Sequence, residues 1–243
     1  MTARSLATAR RVLQQLGHDR RSIALIVVLP SLLLTLFAFV YDATPQVFDG
    51  IGPQMLGIFP FVIMFLVTSV TMVRERTSGT LERLLTTPLR RGELIAGYGL
   101  ALGLAALVQA VVTSGVAIWL LDLEVSDPGL VVLFAVVDAV LGTALGLLMS
   151  AFAVTEFQAV QFMPLVVIPQ LLLCGLLAAR DTMPDVLHRL SDVMPLSYAT
   201  DAFTDLGAGT GFTSELAIDL TILVGCCAAA LAGAALTLRR RTP

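Results

Sequence analysis

Apolar and polar positions along the chain form long hydrophobic runs separated by short polar breaks. The runs predict membrane spans at about 22–41, 55–73, 93–121, 130–154, 159–177 and 216–238. Each is close to or above the ~20 residues that an α-helix needs to cross about 30 Å of hydrocarbon. The pattern predicts an all-α polytopic membrane protein, with six transmembrane helices in one domain over 1–243. Pro30 and Pro60 fall inside the first two spans, where proline kinks a helix. Trp119 sits near the end of the third, as an interfacial aromatic would. The first run exceeds the ~7–15 residues of a signal-peptide core and no small-residue cleavage site follows, so it reads as a retained span.

The polar breaks differ from one another. Residues 1–21 carry Leu6, Val12, Leu13 and Leu16 at roughly helical spacing among Arg4, Arg10, Arg11, Arg20 and Arg21, which predicts an amphipathic helix on the membrane surface. Residues 42–53 read as a loop rich in Pro, Gly and Asp, 122–127 as an acidic connection, and 155–158 as a polar turn. The segment 179–214 is longer. In it Met183, Val186, Leu187, Leu190 and Val193 make an apolar stripe, with Asp185, His188, Arg189 and Asp192 opposite.

Charge gives these breaks a side. Thirteen of the fifteen arginines lie in the N-terminal helix, in 73–98 and in the C-terminal tail, while twelve of the eighteen acids lie in or beside the loops of the opposite, outer side. Six spans put both termini on one side, and the positive-inside rule makes that side cytoplasmic. Composition agrees with a lipid environment: 57% of residues are hydrophobic and 14% charged, against about 25% charged in soluble domains. The chain contains no lysine, and a phosphate-binding P-loop needs one. Any ATP must therefore bind to another chain. Cys174, Cys226 and Cys227 lie in apolar runs and behave as small hydrophobes rather than as a disulfide or metal framework. No catalytic triad, paired catalytic carboxylates, metal-ligand cluster or basic-aromatic nucleic-acid surface is present, which argues against direct catalysis, a metal or a nucleic-acid partner.

Within 73–98, Arg74, Arg76, Arg83, Arg90 and Arg91 alternate with Glu75, Glu82 and Glu93. Thr80 can cap a short helix with Glu82 in its first turn, leaving Leu81, Leu84 and Leu85 on one face. Thr87-Pro88 then starts a second helix into the third span. Such a helix can present leucines and charges to a soluble partner; the alternative is a loop that only sets topology. Among polar residues inside the spans, Asp138 stands near the middle of the fourth, where a charge is costly unless it meets protein or water. It could line a path, meet a cationic substrate or bond across helices, and Gln109, Gln161 and Gln170 are further lining candidates. Asp219 is expected at the outer interface, and His18 and His188 in solvent. Gly142 and Gly146, and Gly225, Ala229 and Gly233, permit close helix contact, read as packing inside the bundle rather than a dimer seam.

Two motifs carry a family resemblance. Arg74-Glu75-Arg76 with Gly79-Thr80-Leu81-Glu82-Arg83-Leu84-Leu85 and Pro88 resembles the signature of type-2 ABC exporter permeases. Gln158-Ala159, Gln161, Pro164, Pro169, Gly175, Met183-Pro184, Leu187, Leu190 and Met194-Pro195-Leu196-Ser197-Tyr198 resemble that family's fifth span and outer helical segment. The resemblance implies a coupling segment over 74–92 that contacts a separate nucleotide-binding ATPase, with ATP and magnesium held in that partner and no cofactor in this chain. It implies two permeases lining an export path in the cell membrane for an amphipathic substrate, drug-like or lipid-linked. It also implies short helices over 179–206 that dip back at the outer surface, with Met183, Pro184, Pro195 and Tyr198 among them. Two other readings of the residues remain: an ion-gradient carrier using Asp138, and a non-transporting scaffold.

Overall fold

The computed structural model describes residues 3–78, 91–209 and 211–237, and among these described residues there are nine α-helices and no strand. They are α1 (Ala3–His18), α2 (Arg20–Val40), α3 (Pro45–Thr77), α4 (Arg91–Gly115), α5 (Pro128–Ser150), α6 (Glu156–Leu173), α7 (Asp185–Ser191), α8 (Pro195–Gly207) and α9 (Ser214–Thr237). A π-helical turn, Val116–Leu120, extends α4. Six of the helices, α4 with its π turn counted as one, are long and apolar enough to cross a membrane.

Local chemistry sets several helix starts. Asp19 caps α2: its Oδ1 accepts from the backbone N–H groups of Arg21 and Ser22, and the Ser22 hydroxyl donates to Oδ2 at 2.7 Å. Asp127 caps α5 in the same way, ahead of Pro128 at its first position. Thr155 caps α6 by accepting from the Gln158 N–H, while the Gln158 side chain accepts from the Val154 N–H. The polar turn 155–158 is thus a capping arrangement.

α3 begins at Pro45, ten residues before the expected span at 55–73, and takes up most of the stretch whose composition reads as a loop. The reason lies in tertiary burial. Phe48, Gly52, Pro53 and Gln54 are all covered by other elements, and packing of this kind overrides weak local propensity. α3 is the central helix and packs most extensively on α5. α2 and α9 flank the bundle with most of their surface outward, as Leu32, Leu36, Ile218, Val224 and Leu236 illustrate.

α1 differs from expectation in its buried face. Ser5, Thr8, Ala9 and Val12 are buried, whereas Leu6 is 56% exposed. These small residues follow an i, i+3, i+4, i+7 spacing and lie against α4, where a β-carbon on Gly97 would fall 2.6 Å from Thr8 Cβ. Close backbone approach seats this side of the helix, and Leu13 and Leu16 pack half-buried against the core beside it.

The bundle has two chemically different ends. One gathers α1, the end of α3, the start of α4 and the start of α6, with most of the described arginines. The other gathers the start of α3, residues 121–127, α7, α8 and the start of α9; there Gln54 donates to Thr204 and the Ser126 N–H to the Leu206 carbonyl.

Candidate functional site

At the arginine-rich end, the three described residues of the proposed coupling motif all bond within the chain. Glu75 accepts from Arg11 at 3.0 Å, and the same guanidinium donates to the Tyr98 hydroxyl at 2.7 Å. Tyr98 is fully buried and the Glu75 side chain only 12% exposed. Arg74 makes a two-pronged contact with Glu156, both bonds 3.0 Å, and Arg76 donates to the Ser150 carbonyl. The Arg74 pair is largely exposed and contributes on the order of 0–1 kcal/mol. The Arg11 cluster is more enclosed and joins α1, α3 and α4. Gly79, Thr80, Leu81, Glu82, Arg83, Leu84, Leu85 and Pro88 lie outside the described residues.

Arg11, Tyr98 and Glu156 are the partners that sequence reasoning missed. They stand 64, 87 and 82 residues from or across their counterparts, and no local spacing signals a pairing at that distance. Asp19 is next to this cluster. Its Ser22 hydroxyl bond, with the backbone N–H donors of Ser22 and Arg21, holds the carboxyl below its ordinary value.

The four interior candidates occupy separate environments. Asp138 on α5 and Gln109 on α4 are fully buried, and neither side chain has a hydrogen-bond partner among the described residues. Gln170 is buried; it donates to the Val166 carbonyl and accepts from the Leu196 N–H, tying α6 to α8. Gln161 is exposed on α6. Gly142 and Gly146 face α3, and Gly233 meets the Leu148 side chain, whereas Gly225 has nothing within 4 Å.

At the acid-rich end, Gly175 takes a positive φ of 96°, and the chain turns through a 3-10 helix, Arg180–Thr182, into α7 and α8. Met183 is extended, Pro184 precedes α7, and Pro195 opens α8 at its first position. The Tyr198 hydroxyl donates to the Asp192 carbonyl at 2.7 Å. Arg180 lies 5.6 Å over the Tyr198 ring and bonds both Asp192 and Asp201. Burial raises the Asp201 carboxyl above its ordinary value, opposed by the Arg180 charge. α8 is buried against α3 and α9 through Leu196, Ala199, Phe203 and Leu206. The stripe through α7 faces mostly outward: Val186, Leu187, Leu190 and Val193 are exposed and Met183 is half-buried, while His188, expected in solvent, is also half-buried.

A bundle of six apolar helices with chemically opposite ends defines a multi-pass membrane protein. Residues 5–206 match the profile of the ABC-2 type transporter, and the chain belongs to that family. It is 28% identical over 152 residues to the probable multidrug ABC transporter permease YbhR of Escherichia coli, covering 61% of this chain and 41% of that protein. Similarity extends to ABC transporter G family member 20 of Dictyostelium discoideum, 29% over 159 residues (65% of this chain, 22% of that one). The linearmycin resistance permease protein LnrN of Bacillus subtilis is 25% identical over 182 residues, 73% of this chain and 46% of that one. The chain spans less than half the length of these relatives.

Proposed function

We propose that this chain is the membrane-spanning permease subunit of an ATP-driven exporter, pairing with a second permease and docking on separate ATPase subunits. It would move an amphipathic substrate, drug-like or lipid-linked, from the cytoplasm or inner leaflet outward. The observation that carries this reading is the family match across 5–206. Further support comes from relatives named as multidrug and resistance permeases and from the absence of lysine, which leaves no residue for a P-loop here.

In this reading the arginine-rich end and both termini are cytoplasmic, and 74–92 is the coupling segment. α3 leads into it and α4 leads out, and the Arg11–Glu75–Tyr98 cluster ties both helices to α1. A push on Thr80 to Leu85 from closing ATPases would thus reach three helices together. Leu84→Pro tests it: the complex should remain in the membrane while substrate-stimulated ATP hydrolysis and export are lost. Transport by the purified chain under a proton gradient, with no ATPase, would overturn the proposal. Such a result would favour the carrier reading, which the complete burial of an unpartnered Asp138 supports.

A further inference from the structure

At the acid-rich end a cleft of about 650 Å³ opens between the start of α3, the end of α6, the 3-10 helix, α8 and the start of α9. Five carboxylates line it: Asp181, Asp201, Asp205, Glu215 and Asp219. Arg180 is its arginine, and that guanidinium is already held by Asp201 and Asp192. His188 lies 3.6 Å from Asp192. Asp181, Glu215 and Asp219 have no ion pair among the described residues. Glu215 and Asp219 are also one helical turn apart on α9, an i, i+4 pair of like charges that costs stability unless a cation lies between or beside them.

A second, independent feature points the same way. Gln54 reaches into the wall of the cleft from α3 and is only 9% exposed. Its Nε2 donates to Thr204 Oγ1 at 2.6 Å, and its Oε1 has no partner. A buried amide acceptor left unpaired costs about 1–3 kcal/mol, and a ligand donor would remove that cost. The wall therefore offers an acceptor and the rim offers negative charge.

We infer that this cleft binds the protonated amine of an organic cation. A bare metal ion is the poorer occupant, because the described residues include no group of three His, Cys, Asp or Glu placed to hold one, and the volume falls in the range of about 300–1,000 Å³ used for small molecules. The ammonium sits against Asp219 and Glu215 and turns an N–H toward Gln54. Taken with the export reading, on which this last step rests, the exported amphiphile carries a cationic head. The head lodges in the cleft, where α7 contributes His188 to the lining.

Titration of spermidine onto the chain in nanodiscs of zwitterionic lipid, followed by calorimetry without ATPase or nucleotide, tests the site. Saturable binding is expected to weaken about tenfold in Asp219→Asn/Glu215→Gln and severalfold in Gln54→Leu, each with unchanged elution on size exclusion. The double variant Asp122→Asn/Glu124→Gln, which removes the same charge from the 122–127 connection, should bind like the wild type. No saturable binding, equal loss in both double variants, or displacement by equimolar magnesium would overturn the inference. Because no ATPase is present, failure of ATP-driven export leaves this result standing, and export without binding overturns only the site.

Discussion

Gly142 on α5 lies directly against the Phe61 carbonyl of α3, so closely that a β-carbon would overlap it, and one turn later Gly146 repeats the contact, its β-carbon falling 2.6 Å from the Phe65 carbonyl oxygen. The two central helices therefore touch backbone to backbone. This assigns the glycine pair to the interior of one bundle, as the spacing predicts. Gly142→Ala should cost about 1–3 kcal/mol, the range for forced overpacking, and lower the melting temperature of purified protein. Gly225→Ala, with open space around it, should leave the melt unchanged.

Arg11→Ala or Glu75→Gln should free α1 from the helix ends that flank the coupling segment. A cysteine in place of Ser5, buried against α4 in the wild type, would then become reactive to a maleimide, and substrate-stimulated ATP hydrolysis should fall severalfold. Tyr98→Phe removes one bond of the cluster and should have the smaller effect, about 0.5–1.5 kcal/mol. Unchanged reactivity of position 5 in Arg11→Ala would show that small-residue packing alone holds the helix.

Asp138→Asn separates the exporter reading from the carrier reading. Asparagine keeps the volume and a polar end but carries no charge, so ATP-dependent transport should persist at near wild-type rate. A carrier that moves protons through this carboxyl would lose transport and its pH dependence. The measurement is uptake into vesicles with ATP or with an imposed pH gradient, one at a time.

The Asp19 cap predicts a pH effect of known sign. Its carboxyl is held below the ordinary value of 3.8 in the folded chain. The cap's contribution is therefore complete above that value and is lost as pH falls through the lowered folded value. Asp19→Ala should melt below wild type at neutral pH, and the gap should close in melts taken progressively below pH 3.8. A gap independent of pH would mean that the carboxylate charge plays no part in the cap.

The all-α class, the six spans and the opposite charge of the two ends were legible in the sequence, because each depends on local quantities: run length against hydrocarbon thickness and the distribution of arginine. The caps at Asp127 and Thr155 are equally local, but 122–127 and 155–158 read in the sequence only as an acidic connection and a polar turn. Three features required the tertiary structure. Helical packing at 45–54 depends on neighbours that cover Phe48 and Gln54, which no proline or glycine count reveals. The buried face of α1 was decided by Gly97 on another helix, so Ser5, Thr8 and Ala9 went inside and Leu6 stayed out. The Arg11–Glu75–Tyr98 cluster and the acid cleft join residues far apart in the chain, and only the crossing of helices brings their charges within bonding distance. Hydropathy is summed along the chain and can be read there; close approach and charge pairing act through space and cannot.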